Sequence, residues 1–121
     1  MTATGTIRPQ EVLLDTDDVA MQPWRPLGGN TGLSVQVLWQ EPETTSYAGL
    51  LHMNPDTSLP PHIHRAAVHH LWVVWGTCMI NGRRLDGGSY VYVPAGVEHG
   101  IQRAGRGGCL LFYLDLIQPA T

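Results

Sequence analysis

Residues 59–76 read LPPHIHRAAVHHLWVVWG and contain four of the six histidines of the chain. Residues i and i+2 of a β-strand face the same side, so His62 and His64 can direct both imidazole rings at one point. An isolated H-x-H pair is weak evidence for a metal site, because a single histidine is more often a surface residue or a hydrogen-bonded core residue. The other histidines therefore decide how this stretch is interpreted.

Two further histidines extend the pattern. His69 follows His64 after a four-residue gap, which is enough chain to bend and return. His99 ends a second segment, residues 88–99 (GSYVYVPAGVEH), behind a Pro-x-Gly turn. Converging neutral nitrogen donors form a metal site, and imidazole suits zinc, copper, iron and nickel. The pattern predicts a divalent transition metal held by His62, His64, His69 and His99.

The size and charge of the chain narrow the classes of function. With 121 residues, the chain is predicted to be one domain, residues 1–121, with residues 1–6 as a disordered tail. The net charge of −3 argues against nucleic-acid binding, which requires a basic stripe. All seven basic residues are arginine, so lysine Schiff-base chemistry and P-loop chemistry are excluded.

The N-terminal sequence and the cysteines indicate in which cellular compartment the protein is expected. The first residues, MTATGTIRPQEVLL, contain no apolar segment of the secretory type. No apolar run approaches the roughly 20 residues of a membrane span. Cys78 and Cys109 form no CxxC motif and are predicted to be small buried residues. We therefore expect no membrane association and a cytoplasmic location.

Short alternating segments between turn signals predict an all-β fold. Residues 33–40 (LSVQVLWQ) alternate in the way of a half-buried strand. Asn81-Gly82 is a hairpin signal, because a type I′ turn requires positive φ at both central residues. No window of useful length has a helical period. The predicted loops are an acidic turn at 15–18, residues 54–61 and the Gly-rich residues 104–108. The predicted strands are 33–40, 45–53, 71–75, 77–80, 83–85, 89–93, one that opens at His99, and 109–117.

The two histidine segments resemble the two motifs of the cupin superfamily. The first motif, G-x5-H-x-H-x3,4-E-x6-G, is matched without its leading glycine, and His69 stands where the glutamate is usual. The second motif, G-x5-P-x-G-x2-H-x3-N, is matched in register, with Arg103 in the asparagine position. The motifs span residues 59–103, about a third of the chain. The other matching residues are His62, His64, Gly76, Gly88, Pro94, Gly96 and His99.

The resemblance implies a jelly-roll β-barrel with a metal inside. A site with four neutral ligands is similar to that of small dioxygenases of the 2,4'-dihydroxyacetophenone dioxygenase type. Residues 32–64 also resemble the zinc-binding cupin domains of anti-sigma factors, although those usually keep the glutamate. The resemblance further implies a homodimer, with Trp24 or Trp39 at its interface.

The predicted ligand set indicates what the site would do. Four imidazoles leave the full +2 charge of the ion in place, which favours an anionic or enolisable substrate. A six-coordinate ion would keep two positions open for substrate oxygens, or for one substrate oxygen and O2. The leading hypothesis is a metal-dependent dioxygenase of a small hydroxyketone, diketone or similar substrate. Fe(II) is the first choice of metal, with Zn, Ni, Cu and Mn as alternatives. The other hypotheses are a redox-neutral lyase, isomerase or cyclase, a non-catalytic zinc-binding sensory cupin, and a cupin that has lost its metal.

Several residues near the motifs leave alternatives open. His70 falls on the opposite face of its strand from His69, so a structural role is favoured for it. For His52, a position in the pocket and a position outside the barrel interior are equally compatible with the sequence. Glu98 is expected to point away from the site, and Arg103 can face either way. No general acid or base stands out, which favours chemistry performed by the metal. The aromatic residues that either line a pocket or fill the core are Tyr47, Trp72, Trp75, Tyr90, Tyr92 and Tyr113.

Overall fold

Antiparallel strands account for most of the computed structural model, which describes residues 11–29 and 32–118. The strand content confirms the all-β prediction. The predicted disordered tail, residues 1–6, lies outside the described residues. In chain order the elements are α1 (Thr16–Met21), β1 (Arg25–Pro26), β2 (Leu33–Gln40), β3 (Tyr47–Met53), β4 (Leu59–Ile63), β5 (Ala67–Ile80), β6 (Arg83–Asp86), β7 (Tyr90–Val93), β8 (Glu98–Ile101) and β9 (Arg103–Ile117).

The strands form a large sheet and a small one. The large sheet has the order β1-β2-β3-β9-β5-β6, and β7 also pairs with β5. The small sheet consists of β4 and β8. The last strand therefore lies between β3 and β5, in the middle of the large sheet. The core between the two sheets includes Leu33, Met53, Val73, Leu111 and Tyr113.

The Gly-rich residues 104–108, predicted as a loop, belong to β9 instead. Their glycines permit a close approach of neighbouring backbones. A Cβ at Gly105 would collide with the Thr77 side chain, and one at Gly108 would lie 2.5 Å from the Met53 carbonyl oxygen. Gly76 on β5 has φ of 83° and similarly faces the Gly108 carbonyl. Gly76, Gly105 and Gly108 are thus required by close contacts between neighbouring strands, and the glycines of 104–108 do not mark the turn that the sequence suggested.

The segment predicted as the 54–61 loop ends earlier than expected, because β4 begins at Leu59 and includes Pro60 and Pro61. Proline lacks a backbone donor and is tolerated in a strand only at an edge or a bulge. β4 meets both conditions: it pairs only with β8, and its register shifts between Leu59 and His62.

The acidic residues 15–18, predicted as a turn, begin the short helix α1. The Asp15 side chain accepts from the Asp18 backbone N–H at 2.8 Å, and the Asp18 side chain accepts from the Asp15 N–H at 3.1 Å. The almost fully buried Gln36 on β2 holds the helix by donating to the Val19 and Gln22 carbonyls. Six residues are too few to give a readable period. No helix in the described part of the chain is long and apolar enough to cross a membrane.

Two local predictions are confirmed. Asn81 and Gly82 have φ of 52° and 76°, the left-handed geometry of the hairpin that joins β5 to β6. Cys78 and Cys109 are free thiols in the core, both buried to at least 99%.

Candidate metal centre

The small sheet places His62 and His99 opposite each other on neighbouring strands. His62 on β4 is the register partner of His99 on β8, and their ring centroids lie 4.4 Å apart. His64 follows His62 two residues later, and its ring centroid lies 4.8 Å from that of His62. One ring nitrogen of each of these three histidines lies within 4.8 Å of the others. The three histidines, which we call the histidine cluster, are a candidate metal site.

Backbone carbonyls fix the ring orientation of two members of the cluster. His62 Nδ1 lies 2.9 Å from the Pro60 carbonyl oxygen, and His99 Nδ1 lies 3.2 Å from the Val97 carbonyl oxygen. A carbonyl can only accept, so Nδ1 carries the hydrogen in both rings. Each Nε2 is then left with a free lone pair, which is the form of imidazole that binds a metal ion.

His69 enters the same space from β5. Its ring centroid lies 4.3 Å from that of His64 and 4.8 Å from that of His99. Its side chain is almost buried, and its Nε2 has no hydrogen-bond partner among the described residues. All four histidines that the sequence singled out are therefore neighbours, with His69 on the rim of the cluster.

The chemistry of these donors fits a divalent transition metal. Metal ligands must be deprotonated, and the surroundings of the His69 and His99 rings favour the neutral form. Burial, followed by the neighbouring rings of His64 and His99, lowers the pKa of His69 to about 4. Burial also lowers the pKa of His99. Burial therefore favours, in His69 and His99, the neutral form that can coordinate a metal ion.

The four rings open onto a cavity of about 360 Å³ inside the barrel. That volume falls in the range of small-molecule sites. Its polar side chains are the four histidines together with Tyr47 and Tyr113. The rest of the lining is backbone at two glycines and aliphatic side chains: Leu27, Val35, Leu51, Leu59, Leu71, Ile80, Val93 and Ile101.

A family model described as the ChrR cupin-like domain matches residues 9–116 of the chain. The chain belongs to this cupin family. Among curated protein sequences, none matches significantly.

Solved structures agree with that assignment, and the fold of this ChrR-like cupin is the jelly-roll barrel that the resemblance implied. KdgF from Halomonas sp. is 18% identical with a TM-score of 0.73, covering 91% of this chain and 96% of that one. The polyketide cyclase RemF from Streptomyces resistomycificus is 20% identical with a TM-score of 0.69, covering 89% and 83%. Rhodobacter sphaeroides SigE in complex with the anti-sigma ChrR gives 26% identity and a TM-score of 0.65, covering 79% of this chain and half of that one.

The aromatic residues of this cupin divide between the two faces of the large sheet. Tyr47 and Tyr113 line the cavity, and their rings pack edge to face at 5.3 Å. The other four neither line the cavity nor fill the core, because strand alternation, together with a register shift between Val73 and Trp75, turns them to the outer face. The residues on that face, each between 44% and 51% exposed, are Trp72, Trp75, Tyr90 and Tyr92.

The remaining histidines and charged residues lie outside the cavity. His70 Nδ1 lies 2.6 Å from the Tyr90 hydroxyl on the outer face, in agreement with the structural role expected for it. His52 packs against Trp24 and Trp75, so it does not reach the interior. Glu98 is exposed, as predicted. Arg103 points outward and pairs with Asp56 at 2.8 Å.

Sequence reasoning missed one buried carboxylate. Asp115 on β9 is the register partner of His69, and its Oδ1 lies 3.6 Å from His69 Nε2. Burial raises the pKa of Asp115, although His64 and the nearby Tyr47 hydroxyl oppose that shift. A signal was present in the sequence: Asp115 continues the buried alternation of Leu111 and Tyr113, and it is the only charged residue in the segment 109–117. A charged residue at such a position is informative, since unpaired carboxylates are rarely buried.

The metal-free cupin is expected to lose stability as the pH falls from about 6.5 to about 4. Unfolded His69 takes up a proton near its ordinary value of 6.5, whereas the folded protein resists protonation until about pH 4. The unfolded state binds more protons in that window, so stability rises with pH there. His99 acts in the same direction, and the raised pKa of Asp115 acts in the opposite one.

The measurement is the thermal unfolding midpoint at a series of pH values in the presence of a chelator. A His69→Gln variant, which removes the titrating ring, should show a shallower decline. An identical slope in the two proteins would contradict the prediction.

Proposed function

We propose that this cupin is a metal-dependent enzyme, and that its reaction is the dioxygenation of a small hydroxyketone, diketone or similar substrate. The ion is held by His62, His64 and His99, with His69 as a fourth donor, and Fe(II) is the metal we propose first. The observation that supports this proposal is the position of the histidine cluster at the wall of a 360 Å³ cavity. A purely structural ion would need no adjoining space of that size.

The chain supplies an environment suited to an enolisable substrate. Neutral imidazoles leave the charge of the ion uncompensated within the ligand set, and an apolar cavity wall strengthens its attraction for an anionic oxygen. When bound, the ion supplies Lewis acidity and, as Fe(II), redox chemistry with O2.

Two hydroxyl groups offer hydrogen bonds to the same substrate. Burial raises the pKa of both Tyr47 and Tyr113, so each hydroxyl keeps its proton at neutral pH. A protonated phenol can donate to a substrate oxygen, and the aliphatic side chains around it exclude water. We propose that Tyr47 and Tyr113 orient the substrate in the cavity.

The test is oxygen uptake by Fe(II)-loaded protein with a panel of α-hydroxyketones and β-diketones. We expect uptake that depends on both the substrate and Fe(II), and that zinc-loaded protein does not reproduce. Turnover of a panel substrate without oxygen uptake would point to the redox-neutral lyase, isomerase or cyclase. Absence of both turnover and uptake across the panel would contradict an enzymatic role for these substrates.

A sensory cupin is the second candidate, and the family assignment favours it. The matching family is named after ChrR, and a structure of the anti-sigma ChrR with SigE gives 26% identity. In this alternative the same histidines hold zinc, and the cavity accepts a ligand without turnover. Stoichiometric zinc in protein purified without added metal, combined with no turnover of the panel, is the result that would favour it.

We also propose that the protein is a homodimer. The outer face of β5 and β7 presents Trp72, Tyr90 and Tyr92, each about half exposed. Tyr90 contacts Trp72, and His70 contacts both tyrosines. Exposed aromatic clusters mark interaction surfaces, and a patch on a sheet face can pack against its own copy across a two-fold axis. Of the two tryptophans expected at the interface, Trp24 is 44% exposed and Trp39 is half-buried.

Light scattering at micromolar concentration is expected to give twice the mass of the chain. Trp72→Ser should shift the mass towards that of the monomer, whereas Val12→Ser, at an exposed position on another segment, should not. A monomer mass for the unmodified protein would refute the proposal.

A further inference from the structure

We propose that Asp115 is a positioning residue of the metal centre: its carboxylate holds the His69 ring and supplies the negative charge that the histidine ligands lack. This inference rests on the metal binding proposed above. It assigns a role to a buried charged group that the sequence motifs do not contain.

The sheet places this carboxylate beside the ring by its register. Tyr47 on β3, Asp115 on β9 and His69 on β5 are consecutive register partners across three strands. Residues in one such row point to the same face of a sheet, and neighbouring side chains are close enough to interact. Tyr47 and His69 line the cavity, whereas Asp115 is not among its lining residues. The carboxylate therefore lies between Tyr47 and His69 without forming part of the cavity wall.

Two buried polar atoms in this row lack partners among the described residues, and they face each other. They are His69 Nε2 and Asp115 Oδ1, separated by 3.6 Å, and both side chains are 9% exposed. A buried polar atom without a partner destabilises the folded state, because it has lost its hydrogen bonds to water. The separation exceeds a good N–H···O distance by only about 0.7 Å. A small ring rotation lets His69 donate to Asp115 and satisfies both atoms.

The arrangement completes a pattern within the site. His62 and His99 each donate through one nitrogen to a backbone carbonyl. In His69 the acceptor is a carboxylate and it faces Nε2, so a ring that donates to Asp115 keeps Nδ1 for the ion. A carboxylate acceptor raises the basicity of the ring, fixes its tautomer and brings a negative charge close to the ion. The ligands stay neutral while the site as a whole gains one negative charge.

The experiment compares the metal affinity of five proteins by competition with a chromophoric chelator, using Zn²⁺ and Co²⁺ as probes. They are the unmodified protein, Asp115→Asn, the control Asp86→Asn, His69→Glu, and the double variant that combines His69→Glu with Asp115→Asn. Asp115→Asn keeps the size and an acceptor oxygen but removes the charge, and we expect 10- to 100-fold weaker binding, roughly the usual effect of losing such a partner. Asp86→Asn removes a charge from an exposed ion pair and should change affinity less than about twofold.

The His69→Glu background, which completes a double-mutant cycle with Asp115→Asn, separates a role of Asp115 in the metal centre from a role in the fold. His69→Glu places a carboxylate next to Asp115, so the added Asp115→Asn substitution should leave the affinity unchanged or improve it. A merely structural Asp115 would weaken binding equally in both backgrounds. If Asp115→Asn does not unfold cooperatively, Asp115→Ser replaces it with the same expectation.

The outcomes distinguish the two levels of the proposal. A loss of less than threefold for Asp115→Asn, or an equal loss in the His69→Glu background, overturns the role of Asp115 and leaves the histidine site intact. Failure of the unmodified protein to bind either probe ion overturns the proposed function, and the role of Asp115 with it.

Discussion

His99→Ala is expected to abolish stoichiometric metal binding and to weaken the affinity for divalent ions at least about 100-fold. His99 is one of three histidines with ring nitrogens within 4.8 Å of one another, and it is the register partner of another, His62. Removing a ligand should cost more than removing a group that only orients one, and the latter already costs 10- to 100-fold. The measurement is metal content of the purified protein, followed by chelator competition.

A matched control comes from the histidines outside the cluster. His52→Ala removes an imidazole that packs between Trp24 and Trp75, away from the cavity. It should keep full metal content. Retention of metal by His99→Ala, or an equal loss in both variants, would show that the cluster is not the binding site.

Gly108→Ala is expected to lower the free energy of unfolding by about 3 kcal/mol. Gly108 has φ of 76°, which costs an L-residue about 1–2 kcal/mol. Its new Cβ would also lie 2.5 Å from the Met53 carbonyl oxygen, so the two strands must separate, at a further cost of roughly 1–3 kcal/mol. Denaturant unfolding followed by circular dichroism measures the change.

The neighbouring glycine provides the control. A Cβ at Gly107 would meet no atom within 4 Å, so Gly107→Ala should change stability by less than about 1 kcal/mol. Equal effects at positions 107 and 108 would mean that the close strand contact does not constrain the sheet.

The sequence was sufficient to predict that the four histidines lie close together, because their spacing within and between the two segments indicates it. A two-residue interval puts His62 and His64 on one side, and the turn after Pro94 returns His99 to the same place. The Asn81-Gly82 hairpin was equally readable, because the requirement for positive φ is local. The His62–His64 and Asn81-Gly82 predictions each depend on a few consecutive residues, whereas the place of His99 beside the other histidines is also implied by the resemblance of the two segments to the cupin motifs.

The features that escaped prediction depend on which strands become neighbours. The glycines of 104–108 look like a turn until β5 and β3 are known to flank them. Asp115 looks like an isolated acid until its register partner proves to be His69. Alternation within one strand does not relate its faces to those of another strand, so Tyr113 on β9 cannot be distinguished from Tyr90 and Tyr92 on β7 until their register with β5 is known.

The central position of β9 bears on how the polypeptide acquires its structure during synthesis. β3 and β5 share no neighbour until residues 103–117 have been made, because β9 is the strand that joins them. Closing such a distant pairing is entropically costly and slow. The segments bearing the imidazoles thus leave the ribosome first, and the cavity wall that contains Tyr113 is completed last. The cavity beside the histidine cluster is therefore expected to form only after β9 has docked between β3 and β5.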